Sequence, residues 1–394
     1  MLTTILLFII ILGLLVFVHE FGHFIFAKKM GVSVEEFGFG FPPRMIGVYK
    51  VGKKIQWVFK NAPTFAENIA GAMRRTIYSI NWIPLGGFVK IKGEEGGNRR
   101  DPDSFGSKAV WKRAVILAAG VGMNLFSAVV ILSIGFGIGM PQSLDRELPG
   151  AKITGQSIQV VSVTKNSAAA EAGIKAGDEI TALDGKRLNF KELQAYATSK
   201  VGEVVHYSIK TNGMVFEKNI KPAILAETGY GGIGVGLIET GIVSYPWYLA
   251  IWKGILETGY LIKEIVLAFV FLFKDLLIGR GATVDLSGPV GIAVLTGRVA
   301  RLGLAYILQF TAVLSVNLAI VNILPFPALD GGRLVFLAVE KIRRRPVSQK
   351  IESAVHNIGF ALLMLLVVFI TYKDFVKFGD KFQNLWQNII NKFS

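Results

Sequence analysis

Four long apolar runs dominate the hydrophobicity pattern of this 394-residue chain. They cover residues 2–26, 114–140, 302–324 and 358–371, and the last run has an apolar extension upstream. At about 1.5 Å per helical residue, runs of this kind cross the hydrocarbon core of a bilayer. The pattern therefore predicts a polytopic α-helical membrane protein with about four transmembrane helices.

A fifth apolar stretch, residues 247–278, is repeatedly interrupted by charged side chains. Its longest uncharged run, residues 265–273, is too short to cross a bilayer as a helix. An amphipathic helix in the membrane interface over residues 245–280 fits the pattern better. A span at this point is the alternative, and it would reverse the direction of the third predicted helix.

The charges between the runs predict their orientation. Lys28 and Lys29 follow the first run, and residues 28–113 form the most basic loop of the chain. The loop before the fourth run is also basic. Because short basic loops stay in the cytoplasm, we expect both termini on the outer side. A cleaved signal peptide is the alternative for the first run, but its basic residues stand after the apolar part instead of before it.

The sequence between the second and third runs is of a different kind. Short β-like runs such as IQVVSV and VVHYSIK alternate with the turn-rich AGIKAGDEITALDGKRL and the helical KELQAYA. This pattern predicts one inserted α+β domain over residues 150–240, on the outer side. Residues 1–140 then hold the first two membrane helices, and residues 281–394 hold the last two and a C-terminal tail.

The composition narrows the possible functions. With 52% hydrophobic residues, the chain is too apolar for an ordinary soluble protein. Its formal net charge of +15 indicates cytoplasmic loops, and no basic-aromatic module supports binding of nucleic acid. Because the chain has no cysteine, disulfides and thiolate metal ligands are excluded. Any metal must be bound by His, Asp or Glu.

The first run contains VFVHEFGHFIFAKK, which places His19, Glu20 and His23 in lipid-like sequence. Ionisable residues at such depth are costly and are usually functional. Positions i and i+4 share a helix face, so the two histidines can bind one metal ion, for which zinc is suited. Glu20 is placed to accept a proton from an attacking water. Hydrogen bonding of both histidines to neighbouring helices is the structural alternative.

A third metal ligand is expected in NILPFPALDGG, residues 322–332. The prolines end the third helix, and Asp330 follows near the membrane surface. The first and third helices run in the same direction, so His23 and Asp330 reach the same end. Capping of the next helix is the alternative role for Asp330. His206 and His356 are poorer candidates for ligands.

These motifs resemble those of the site-2 protease family of intramembrane zinc metalloproteases. The likeness is greatest to its regulator of sigma-E protease-like branch, here with a single PDZ domain. The resemblance implies Glu20 as the catalytic base and Zn²⁺ bound by His19, His23 and Asp330. From the motifs NILPFPALDG and AAGVGMN it also implies residues that shape the substrate site: Asn322, Pro325, Pro327 and Asn124. Gly120 in the second motif would permit close approach of helices.

GFGFPPRMIGV and WIPLGGFVKIKGE resemble the family's cytoplasmic, membrane-associated β-hairpin. The backbone at Val89 and Ile91 would there pair with an unwound substrate. AAEAGIKAGDEITALDG and YGGIGVGL resemble parts of a PDZ domain. The chain has one PDZ domain where the enterobacterial form of the family has two. It also has Val121 where many relatives have proline, and an insertion at residues 61–75.

The sequence therefore predicts a membrane-embedded zinc endopeptidase of the bacterial cytoplasmic (inner) membrane. It would cut the transmembrane segment of a single-span protein within the lipid bilayer, in regulated intramembrane proteolysis. The resemblance implies a substrate already trimmed by another protease, such as an anti-sigma factor or a signal-peptide remnant. An intramembrane metal-ion transporter and an inactive PDZ scaffold are the alternatives, and Glu20 argues against both.

Overall fold

The computed structural model describes residues 2–51, 53–59, 76–94, 101–144, 148–211, 213–225, 229–279 and 287–393. The insertion predicted at residues 61–75 lies outside these ranges. The helices are α1 (Leu2–Lys29), α2 (Val110–Ile138), α3 (Ala168–Glu171), α4 (Phe190–Ser199), α5 (Trp247–Leu277), α6 (Pro289–Leu302), α7 (Leu304–Ile323), α8 (Asp330–Arg343) and α9 (Gln349–Phe393). The strands are β1 (Val34–Val51), β2 (Lys54–Phe59), β3 (Ile77–Ile91), β4 (Met140–Ser143), β5 (Lys152–Val163), β6 (Glu179–Leu183), β7 (Val205–Thr211), β8 (Met214–Ile220), β9 (Ala223–Ile224), β10 (Gly231–Gly232) and β11 (Val235–Ser244).

Four of the described helices are long and apolar enough to cross a membrane, namely α1, α2, α7 and α9. They coincide with the four apolar runs of the sequence. The third membrane helix, α7, begins two residues later than predicted, because Gly303 has a φ of +110° and separates α6 from α7. The fourth helix begins earlier, at Gln349, so it includes the polar turns that the hydrophobicity pattern left out.

Helix α5 is continuous over 31 residues. It is not one of the four membrane-crossing candidates in the described part of the chain. Large apolar side chains are exposed along it, including Trp247, Trp252 and Phe271. Its position in the membrane interface stays a prediction.

The chain divides into two compact units, Met1–Leu132 with Gly254–Ser394, and Ser133–Lys253. In the first unit, a sheet of order β2-β1-β3 replaces the predicted hairpin, so that prediction was incomplete. Residues 36–39 of β1 pair on both sides, with residues 77–80 and with residues 87–90 of β3. Within the described residues, the segment 87–91 pairs with β1 alone. It therefore carries a free strand edge.

A core of apolar side chains joins this sheet to the helices of its unit. Its buried members are Ala27, Val32, Val34, Phe37, Ile91, Phe105, Ile116, Leu117 and Leu337. They come from α1, α2 and α8 as well as from the sheet. Burial of this apolar surface favours a fixed position of the sheet on α1.

The second unit is a six-stranded sheet of order β4-β11-β5-β6-β7-β8 with a separate β9-β10 pair. Its core includes Val160, Leu183, Val205 and Tyr207, which are 0–1% exposed. Asn189 and Glu192 begin α4 with a reciprocal capping box. The unit extends beyond residues 150–240 because β4 pairs with β11.

Candidate metal centre

Helix α1 carries two of the three groups that meet at the site. His19 and His23 lie one turn apart on it, and each is 6% exposed. Their Nε2 atoms are 3.2 Å apart. The uninterrupted Leu, Ile, Val and Phe sequence allows the helix to continue through this region without proline. The i, i+4 spacing therefore directs both imidazoles to one point.

The third group arrives from the other end of the chain. Helix α7 ends at Ile323, and α8 begins with Asp330 as its first residue. Asp330 Oδ2 lies 3.0 Å from His19 Nε2 and 3.3 Å from His23 Nε2. The alternative capping role for Asp330 is wrong, because Leu329 is the N-cap residue of α8. The two histidines and Asp330 are the one group of three or more possible metal ligands found in the described residues.

The outer nitrogens of both histidines are also held. His23 Nδ1 lies 2.8 Å from the Ile116 carbonyl oxygen, to which it donates its proton. His19 Nδ1 lies 3.1 Å from the side-chain amide of the fully buried Asn124. With the amide nitrogen on this side, Asn124 Oδ1 is buried without a partner. With the amide turned end for end, Oδ1 would accept the His19 Nδ1 proton, and Nδ2 would take the buried position that Oδ1 leaves.

With the Asn124 oxygen toward His19, these hydrogen bonds leave a lone pair on each Nε2. Two imidazole lone pairs and a carboxylate oxygen, all within 4.8 Å of one another, repel each other unless a proton or a metal cation lies among them. Two nitrogens and one oxygen are ligands that zinc takes in catalytic sites with three protein ligands. A hydrogen-bonded outer nitrogen on each histidine is also typical of metal sites. The donor set fits Zn²⁺.

Glycines allow α2 to reach the histidines. A Cβ on Gly120 would lie 2.4 Å from His23 Nε2 and 2.7 Å from His19 Nε2. A Cβ on Gly22 would lie 2.4 Å from the Ala119 carbonyl oxygen. Both distances are far inside van der Waals contact, so only residues without a side chain permit this approach. The close helix contact inferred from the resemblance at Gly120 is present.

Glu20 is half-buried on α1, next to the histidine pair. The β3 backbone covers it, since a Cβ on Gly87 would lie 3.1 Å from Glu20 Cβ. The charge of Asp330 acts on its carboxylate. Glu20 is therefore adjacent both to the histidine pair and to the segment of β3 that carries the free edge.

The predicted substrate-binding residues lie in several different elements, and most of them have no described contact with the histidines. Asn322 lies in the last turn of α7, Pro325 is exposed, and Pro327 packs against Gly359 of α9. Val89 and Ile91 pair with Phe37 and Val34 of β1, and Ile91 is 5% exposed in the core. Of the predicted substrate residues, only Asn124 has a described contact with a histidine of the site.

Two neighbouring contacts were missed by sequence reasoning. Arg333 forms an ion pair with Glu94, and both charges act on Glu20. Burial opposes the charge of Arg333, but Glu94 and Asp330 hold the pKa of its guanidinium above the ordinary value. His356 Nδ1 lies 2.9 Å from the Ala328 amide nitrogen. The sequence could have indicated that Arg333 lies near the site, because it follows Asp330 by three residues on one helix face.

The chain matches the sequence model of peptidase family M50 over residues 7–366. Zinc metalloprotease RasP of Geobacillus kaustophilus is 31% identical, with 96% of this chain and 99% of that protein covered. A Clostridium perfringens protein provisionally named a zinc metalloprotease is 35% identical, with 92% of this chain and 95% of that protein covered. A PDZ domain of an SdrC-like protein from Listeria monocytogenes is 33% identical over 22% of this chain and 92% of that structure, with a TM-score of 0.20.

Proposed function

We propose a mode of action for this chain, which belongs to peptidase family M50 and is a multi-pass membrane zinc metalloprotease. It cleaves peptide bonds within transmembrane segments of other membrane proteins. The observation that carries the proposal is the convergence of His19, His23 and Asp330, whose two Nε2 atoms and Oδ2 lie 3.0–3.3 Å apart. These three residues would hold the zinc.

Each residue of the centre has a distinct task in the proposed reaction. When bound, zinc supplies Lewis-acid activation of water and of a peptide carbonyl. Glu20 accepts a proton from the attacking water and returns it to the leaving amine. Asn124 and the Ile116 carbonyl keep the histidine rings in the tautomer that leaves Nε2 free.

The substrate is proposed to bind along the free edge of β3. A transmembrane helix uses its carbonyls internally, so it must unwind before a peptide bond can be attacked. Residues 87–91 offer unpaired backbone groups next to Glu20. An extended substrate strand there would gain backbone hydrogen bonds through β-augmentation. Asn322, Pro325 and Pro327 would shape the opposite side of the substrate site.

The orientation and the class of partner complete the proposal. Basic loops after α1 and between α8 and α9 support a topology with both termini and the inserted domain extracytoplasmic, in a bacterial cytoplasmic membrane. Single-span membrane proteins, trimmed beforehand by another protease, are the proposed substrates. The inserted domain, of PDZ type, would restrict entry of untrimmed proteins.

The decisive experiment separates metal binding from catalysis. We expect the purified protein to hold about one zinc ion. His19→Ala, His23→Ala and Asp330→Ala should each lower zinc occupancy sharply in metal analysis, because each removes a ligand. Glu20→Gln should keep the metal and lose cleavage, because it removes the base and spares the ligands.

His206→Ala is the matched control for the histidine variants, because His206 is exposed in the inserted domain. Full zinc occupancy in Asp330→Ala would remove that residue from the ligand set. Near wild-type cleavage by Glu20→Gln would refute its role as base. Mass spectrometry of membranes from cells with wild-type enzyme or Glu20→Gln would then identify substrates as single-span proteins that accumulate in the variant.

A further inference from the structure

The loop between α7 and α8 holds Asp330 in a constrained conformation. Ala328, two residues before it, has a φ of +78°. Side chains other than glycine rarely adopt such a backbone, and they persist in it where neighbouring groups hold them there. The loop also turns tightly, since a Cβ on Gly331 would lie 2.2 Å from the Leu324 carbonyl oxygen. The Leu329 amide donates to the Phe326 carbonyl oxygen within the loop, and contacts from outside the loop add to this stabilisation.

Helix α9 contacts this loop at two points, one turn apart. The Ala328 amide donates a hydrogen bond to His356 Nδ1 at 2.9 Å. Gly359 packs on Pro327, and a Cβ there would lie 2.3 Å from Pro327 Cβ. The His356 ring also packs on Phe336 of α8, with centroids 5.5 Å apart. The imidazole is thus held between the two segments that flank Asp330.

The direction of the hydrogen bond determines the tautomer of His356. Because Nδ1 accepts the Ala328 proton, the neutral ring carries its own proton on Nε2. Nε2 is buried and has no hydrogen-bond partner among the described residues. A buried polar group with one unsatisfied nitrogen is costly. This cost is consistent with a side chain whose role is the hydrogen bond that Nδ1 accepts from the Ala328 amide.

We propose that His356 is a positioning residue for the metal centre. By accepting the Ala328 N–H it fixes the backbone that aims Asp330 at the two histidines, so the fourth membrane helix determines zinc affinity without supplying a ligand. The inference rests on the proposed function, because it assumes that Asp330 binds the metal.

The test compares two substitutions of one residue. In His356→Asn, the amide Oδ1 occupies nearly the place of Nδ1 and can accept the same hydrogen bond. In His356→Leu, the packing remains but the acceptor is lost. We expect zinc affinity, measured by chelator competition in detergent, to fall about tenfold or more in His356→Leu and much less in His356→Asn. His206→Leu serves as the control for loss of an unrelated histidine.

A second substitution tests whether His356 acts through the backbone conformation at Ala328. Glycine adopts positive φ readily, so Ala328→Gly should keep the loop conformation without the hydrogen bond. We expect Ala328→Gly to restore most of the zinc affinity in the His356→Leu background and to change little alone. A merely structural role in packing of α9 would not respond to residue 328. Thermal unfolding of each metal-free variant separates loss of folding from loss of affinity.

The outcomes distinguish this inference from the proposed function. Wild-type zinc affinity in His356→Leu overturns the positioning role, as does an equal loss in His356→Asn with no rescue by Ala328→Gly. If His19→Ala lowers zinc binding in the same experiment, the proposed metal site is supported even where the positioning role of His356 is overturned. If His19→Ala binds zinc like wild type, the proposed function fails first.

Discussion

At the scale of single residues, Gly120 determines how near α2 comes to His19 and His23, the proposed metal ligands. We expect Gly120→Ala to displace both imidazoles, because the new methyl would lie 2.4 Å from His23 Nε2. Gly122→Ala, on the same helix, would meet nothing within 4 Å. Both substitutions gain about 0.5–1 kcal/mol of helix propensity, so their difference isolates the contact.

Metal analysis of the two purified alanine variants tests this expectation. Zinc occupancy should fall in Gly120→Ala and stay at the wild-type level in Gly122→Ala. Equal occupancy in both variants would mean that the helices separate at little cost, and the close contact would then have no role in metal binding.

At the scale of elements, the outer segment of β3 offers a test of substrate pairing. Successive residues of a strand direct their N–H groups to opposite sides, so those of Val89 and Ile91 point the same way and that of Lys90 points the other way. One of these two sets of N–H groups faces away from β1 and is free to pair with the substrate. Proline in that set should strongly reduce cleavage while zinc remains bound, because it deletes a donor to the substrate. Proline in the other set should instead weaken the β1–β3 ladder and lower the unfolding midpoint.

Side-chain changes that keep the backbone provide the control. Val89→Ile should leave cleavage nearly unchanged, because the side chain is not proposed to contact the substrate. Ile91→Val should cost about 0.5–1.5 kcal/mol of stability, since Ile91 is buried. Normal cleavage by proline variants of both sets would mean that the substrate is held elsewhere, with Pro325 to Leu329 as the next candidate.

The elements also mark how far the sequence could predict the structure. Four helices, His19 with His23, and the helix break before Asp330 follow from local patterns of hydrophobicity and spacing. The double-sided pairing of residues 36–39 does not, because register depends on distant partners and not on local composition. The contact of His356 with the Ala328 amide was missed for the same reason. Such contacts exist only after α9 has packed on the loop.

At the scale of the whole molecule, the inserted domain should be removable without loss of the metal centre. The Leu144 amide donates to the Glu239 carbonyl oxygen at 2.8 Å, so the two chain ends are adjacent. Replacing residues 145–238 by a short glycine-serine linker would keep the pairing of β4 with β11. Deleting only residues 158–221 would divide β5 and expose the core at Ile233.

The linker variant should bind zinc like wild type and should also cut substrates that have not been trimmed. The reason is that the domain is proposed to control entry, whereas the three proposed metal ligands lie outside it. Zinc content and cleavage of trimmed and untrimmed forms of one substrate measure both effects. Loss of zinc would show that the domain is needed for folding, and unchanged discrimination would leave the entry-control idea without support.

The distance between the ligands along the chain has a consequence for biosynthesis. His19 and Asp330 are 311 residues apart, so the histidines enter the membrane long before the carboxylate is made. If Asp330 is the third ligand, a nascent chain that ends before residue 330 has an incomplete zinc site. We expect such a chain to have no proteolytic activity during its insertion into the membrane. Synthesis of the segment that contains Asp330 is then a precondition for activity.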